Sequence, residues 1–129
     1  MKIAIVGMGV AGSYLAARLR DEHKVIGFER LPKDKFDAVC AWGTSVKGIE
    51  RFTKNVGLRF DDYILHKGRE MRVDIFGRSL YIKLRGLCSF DKLRLIQDIA
   101  EGSDVNYGRL IPQNYTLEGY DLIIDATGL

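Results

Sequence analysis

Cysteine, proline and tryptophan are scarce in this chain of 129 residues, at two, two and one. Two cysteines, Cys40 and Cys88, cannot build the disulfide framework of a small secreted domain, so a reducing cytoplasm is the expected compartment. So little proline, beside 47% apolar and 29% charged residues, excludes low-complexity disorder, a collagen-like rod and a coiled coil. No apolar run approaches the roughly 20 residues that span a bilayer. The apolar opening from Ile3 to Ala17 is broken by three glycines and followed by no cleavage site, so it reads as mature structure and not as a signal peptide. A charge excess of one sign is also missing. Twenty basic residues against 17 acidic ones give +3, mixed along the chain, and that excludes a dedicated nucleic-acid footprint. At this length the expectation is one soluble domain over residues 1–129.

Glycine is plentiful at 14, and three stand near the start of the chain. Residues 2–6, KIAIV, read as a buried parallel strand that turns at Gly7. A helical pattern follows from Val10 to about Glu22, with Ala11, Leu15 and Leu19 on one face, and a second strand runs from Lys24 to Glu29. This is a βαβ unit, whose crossover is expected to be right-handed. Beyond it, residues 30–43 read as a loop and Thr44 to Asn55 as a short helix capped by Thr44 or Ser45. From Asp62 to Leu84, three β-forming runs separated by KG and GR predict a three-stranded antiparallel meander. Ser89 to Ala100 reads as an amphipathic helix with Ser89 as its cap, Val105 to Leu110 as a strand, and Asp121 to Asp125 as another buried strand.

The chemistry concentrates at both ends. Gly7-Met8-Gly9-Val10-Ala11-Gly12 is a G-x-G-x-x-G between strand and helix. Gly7 permits the tight turn, Gly9 lets a pyrophosphate approach the backbone, and Gly12 lets the helix pack closely on the strand. The amides of Val10 and Ala11 then belong to a helix start that favours anions. Glu29, 17 residues after Gly12, is placed to accept hydrogen bonds from the ribose hydroxyls of an adenosine. An acid there disfavours a 2′-phosphate, a bias that Arg30 weakens. These residues point to a dinucleotide and do not separate FAD from NAD. Asp125-Ala126-Thr127-Gly128 puts a small-residue turn after the last strand, where a doubly wound sheet lines its ligand crevice. The fold class expected is thus α/β, a Rossmann-like FAD/NAD(P)-binding domain with a parallel sheet and an antiparallel β-meander.

GxGxxG, a following glutamate and a later strand ending in ATG together resemble the FAD-dependent oxidoreductases of the glutathione-reductase and aromatic-hydroxylase type. Phe90-Asp91 opening a helix, Ile124 to Gly128, and the order of Pro32, Cys40 and Gly43 are most similar to the geranylgeranyl reductase group. The resemblance implies that Gly7, Gly9, Val10, Ala11, Gly12 and Glu29 bind the ADP half of FAD. It puts Arg30 beside the adenosine, Asp125 and Gly128 near the pyrophosphate, and Cys40 near the flavin or substrate as the catalytic candidate. A small or isoprenoid substrate would then exchange hydride with the flavin, on a protein that is cytoplasmic or peripheral to a membrane. Two departures stand out. The arginine that the group carries three residues before Phe-Asp is Leu87 here, with Arg85 out of register, and relatives continue well past the ATG turn. The chain is therefore expected to be the amino-terminal portion of such an enzyme, lacking the substrate domain or completed by a second polypeptide.

Each motif also has a plainer reading. Glu29 could be a solvated strand end, Cys40 a small buried side chain, and Trp42 an ordinary packing residue rather than a cover for a flavin ring. Cys40, Cys88, His23 and His66 lack metal-ligand spacing, no G-x-S-x-G elbow is present, and Asp61-Asp62 reads as a solvated turn. Lys67, Arg69 and Arg72 read as the exposed face of the meander. Rival functions are a stand-alone NAD or adenine-dinucleotide sensor without catalysis, and a remnant that binds nothing well.

Overall fold

A computed structural model of the chain describes residues 1–35, 42–114 and 116–128. It divides into two compact units, one of residues 1–37 with 93–129 and the other of residues 38–92.

The first unit is built on the βαβ element. Strand β1 (Lys2–Val6) leads through the glycine turn into helix α1 (Val10–Leu19), and β2 (Lys24–Glu29) returns parallel to β1. Later come α3 (Lys92–Ala100), β8 (Asp104–Tyr107) and β9 (Leu122–Asp125). The sheet order is β8-β2-β1-β9 and every pairing is parallel. β1 is central, and its Ile3, Ala4 and Ile5 are almost wholly removed from water, as an unalternated apolar strand requires. Ile3, Ile5, Met8, Ala16 and Val25 form the core, with Leu15, Leu19, Val105 and Ile124 packed against it. Three expectations are corrected here. The inward face of α1 is Gly12, Ser13 and Ala16, flanked by Leu15 and Leu19, while Ala11 is exposed. β9 is not fully buried, because it borders the sheet and, among the described residues, has β1 as its one neighbour; Leu122 and Ile123 are 42% and 44% exposed. The strand at Val105 ends at Tyr107, and its continuation turns at Gly108, φ +68°.

The second unit holds β3 (Gly43–Ser45), α2 (Val46–Lys54), a 3₁₀ turn (Phe60–Tyr63), β4 (Ile64–Lys67), β5 (Glu70–Ile75), β6 (Arg78–Lys83) and β7 (Leu87–Phe90). Ser45 sits at the N-cap of α2 but makes no side-chain cap bond. The three-stranded meander does not form. Among the described residues β5 and β6 pair only with each other, and β4 joins a separate antiparallel sheet of order β3-β7-β4. The reason is burial. Pairing β4 with β7 encloses Cys88 and Phe90 with Phe60, whose ring meets Phe90 edge-on at 5.4 Å. The same pairing corrects the helix boundary, because Ser89 and Phe90 belong to β7 and α3 starts only at Lys92. Burial also pushes the Cys88 thiol pKa up, against the opposing pull of Lys67, and its Sγ lies 3.6 Å from the Thr44 carbonyl oxygen. Among the described residues no helix is long and apolar enough to cross a membrane, and no cluster of potential metal ligands is found.

Candidate nucleotide-binding site

The glycine turn is held by backbone before any ligand is considered. Gly7 turns at φ +90°, and its N–H donates to the Phe28 carbonyl at 2.8 Å. A Cβ at Gly7 would lie 2.7 Å from the Ala126 carbonyl oxygen and 2.8 Å from the Thr127 Cα, so the turn after β9 lies against it. A Cβ at Gly12 would fall 1.9 Å from the Gly7 carbonyl oxygen, which leaves no room for any side chain. At Gly9 a Cβ would meet nothing within 4 Å. One glycine thus makes the turn, one lets α1 close onto it, and the third faces open space. Val10 and Ala11, the first helical residues after Gly9, are exposed. Their amides have no acceptor one turn earlier in the helix.

Glu29 is tied to this turn. One carboxylate oxygen accepts the Met8 N–H at 2.8 Å and the other accepts the Leu31 N–H at 3.0 Å. Buried Ser13, which has no catalytic base beside it in sequence, instead donates its Oγ–H to the Met8 carbonyl at 2.8 Å. Met8 itself is buried, its side chain filling the space that Gly27 leaves open on β2. The turn is therefore gripped from β2, from α1 and from within.

Gly7, Glu29, Arg30 and Thr127 line one cleft, together with Arg109 and Leu110. Arg109 and Leu110 were not foreseeable from the motif. The parallel pairing of β2 with β8 delivers them, and the Arg109 N–H donates to the Glu29 carbonyl at 2.8 Å. Tyr107 lies opposite Glu29 in that pairing, and its pKa is raised first by burial and then by the Glu29 charge. Thr127, not Asp125 or Gly128, represents the last turn in the cleft wall. Gly128 is at φ +81° beside open space, and the exposed Asp125 carboxylate accepts both the Thr127 N–H at 3.0 Å and the Thr127 Oγ–H at 2.7 Å. Cys40 lies outside the described residues.

Those two Thr127 bonds hold the Asp125 pKa below the ordinary aspartate value of 3.8. A depressed folded-state pKa means that the stabilisation is complete above the ordinary value and is lost as pH falls through the depressed one. Carboxyl NMR titration is expected to show Asp125 protonating later than ordinary aspartates on acidification, with the Thr127 amide signal moving in step. A normal midpoint, or a Thr127 signal that ignores it, would contradict this hydrogen-bonded turn.

No protein-family model matches the chain, and no curated protein sequence matches it. Solved structures do. FqzB is 20% identical with a TM-score of 0.73, over 99% of this chain and 36% of its own. A geranylgeranyl bacteriochlorophyll reductase-like protein from Thermoplasma acidophilum is 18% identical with a TM-score of 0.64, over 83% of this chain and 30% of its own. PqsL, a probable FAD-dependent monooxygenase from Pseudomonas aeruginosa, is 21% identical with a TM-score of 0.61, over 84% of this chain and 33% of its own. The chain spans about a third of the length of each of these proteins. At this identity the likeness speaks for architecture, and the chain has the Rossmann-like α/β fold that these proteins share.

Proposed function

We propose that the chain is the FAD-binding portion of a flavin-dependent oxidoreductase. The carrying observation is that Glu29 and the open glycine turn stand at one cleft, with a carboxylate already oriented by the Met8 and Leu31 amides. The residues suit the ADP half of FAD. The exposed helix start at Val10 and Ala11, with open space beside Gly9, suits a pyrophosphate. An ionised carboxylate offers about four acceptor positions, so Glu29 keeps capacity for two ribose hydroxyls after accepting two amides. Arg30, Arg109 and Leu110 offer cationic and apolar surface beyond it for a purine. Asp125 fixes the Thr127 turn, and Gly128 follows it at φ +81°.

When bound, the flavin supplies hydride transfer through N5, and this chain's part is to bind and orient it. No described residue is offered as a general acid or base, and Cys40 stays the proposed side chain nearest the chemistry. The finer reading is that the substrate is an isoprenoid double bond. It is supported by the sequence resemblance and by the Thermoplasma neighbour's description as geranylgeranyl bacteriochlorophyll reductase-like. We place the protein in the cytoplasm, with residues 1–129 forming one FAD-binding domain.

The contacts described all concern the ADP half, which NAD shares, so the test must separate the two cofactors. The purified chain, desalted after incubation with FAD, is expected to keep a flavin absorption spectrum, and calorimetry is expected to show ADP competing with FAD. Heat with NAD and no retained flavin would replace this reading with an NAD-binding module. Binding of neither would reject the site.

A further inference from the structure

The peptide units of the glycine turn are aimed one at a time. A trans peptide is planar and points its C=O and its N–H in opposite directions. In the unit joining Gly7 to Met8, Glu29 takes the Met8 N–H, and the Gly7 carbonyl faces the other way, against the open side of Gly12. In the unit joining Met8 to Gly9 the grip is reversed. The Ser13 Oγ–H takes the Met8 carbonyl at 2.8 Å, and Ser13 is wholly removed from water. That carbonyl is drawn inward, so the Gly9 N–H at the opposite edge of the same trans plane is turned away from the core.

Nothing of the chain's own occupies that donor. The Gly9 carbonyl accepts the Ser13 N–H at 3.0 Å, but among the described residues no backbone carbonyl answers the Gly9 N–H. Gly9 is half-buried, and a Cβ on it would meet nothing within 4 Å. Nor does α1 cap itself, since Gly9 brings no side chain to the cap position and the first turn carries no acidic residue. We propose that Ser13 is a positioning residue for an anion: through the Met8–Gly9 peptide it holds the Gly9 N–H toward a ligand phosphate, while itself touching no ligand. The role rests on the nucleotide reading and divides the labour within it. Glu29 serves the ribose, and Ser13, acting through Gly9, serves the phosphate. Without the hydroxyl, a buried carbonyl is left unpaired. The peptide then gains by rotating toward another donor, which swings the Gly9 N–H off its line.

Amide NMR of the isotopically labelled chain, titrated with ADP and separately with adenosine, tests it. In the wild type the Gly9 amide proton is expected to move downfield with ADP and to stay in place with adenosine, which has no phosphate. Ser13→Ala is expected to bind ADP roughly 10-fold more weakly while holding adenosine within about 2-fold of wild type, a split that general loosening of the fold would not produce. Ser13→Cys keeps a weaker donor in nearly the same volume, so it is expected to fall between, and it decides the matter if the alanine chain does not fold. An unmoved Gly9 amide in the ADP-bound wild type would overturn the role and leave the nucleotide site standing. So would equal losses for ADP and adenosine in the two variants, or an ADP affinity that neither variant changes. A wild-type chain that binds neither ligand would reject the site itself, and the role with it.

Discussion

A Gly12→Ala chain is expected to lose about 3 kcal/mol or more of folding stability, at the upper end of what overpacking costs. The added methyl would lie 1.9 Å from the Gly7 carbonyl oxygen, well inside van der Waals contact. The obstacle is backbone, in a turn already fixed by the Gly7 N–H to Phe28 bond and by the 126–127 chain lying against it. No rotamer change can relieve the clash, so α1 must lift from β1, whose Ile3 and Ile5 share the core with Ala16 of the helix. Domains are stable by only about 5–15 kcal/mol, so a loss of this size moves the urea midpoint far. Gly9→Ala is the matched control. Its φ of −67° is ordinary and its Cβ would meet nothing, so the midpoint should stay within about 0.5 kcal/mol while FAD affinity falls. Equal midpoints for the two variants would show that α1 is free to shift and would remove the close-approach account of Gly12.

Glu29→Ala is expected to weaken FAD or ADP binding by at least ~10-fold, and to destabilise the chain as well. Two amide hydrogen bonds to a charged acceptor vanish, and such bonds are worth roughly 1.5–3 kcal/mol each. The half-buried position and hydration of the vacated amides reduce what is realised, so a total of about 2 kcal/mol is expected. Glu29→Gln is the sharper probe. Met8 N–H and Leu31 N–H are both donors, and they address different oxygens of Glu29. A carboxamide has only one acceptor oxygen, and its NH₂ would face the second donor. The isosteric change should therefore disturb the turn nearly as much as truncation does, which a simple ribose acceptor would not predict. Calorimetry with ADP and urea unfolding read the two effects separately. Full affinity in Glu29→Ala would remove Glu29 from the site, and normal stability in Glu29→Gln would remove it from the turn.

The βαβ element was legible because its rules are local. An unalternated apolar run and glycines at three fixed positions each identify their own residues, whereas the four-residue apolar repeat marks the helix but puts exposed Ala11 on its inward face. The glutamate at the end of β2 was legible by spacing alone. What Glu29 grips was not, since its bond to Met8 spans 21 positions and nothing in either neighbourhood encodes it. Arg109 was hidden for a related reason. Its place in the cleft follows from β8 joining the sheet beside β2, a choice of neighbour that periodicity does not state. The meander failed at the same point. The KG dipeptide is a sound turn signal, and the chain does turn there. The Gly68 N–H nevertheless donates to Leu87 across the β4–β7 pairing, so the turn hands β5 to a different partner. Ser89 precedes an apolar repeat and so looks like a cap, whereas pairing with Gly43 holds it in β7.

The bonds that grip Met8 from both sides have a kinetic consequence. A recognition loop that sets on contact loses conformational freedom during binding, and that loss appears as slow or gated association. Here the Glu29 carboxylate and the Ser13 hydroxyl fix the loop in the folded chain itself. Nucleotides that differ beyond their shared ADP should then arrive at similar rates, and preference among them should reside in how long each stays.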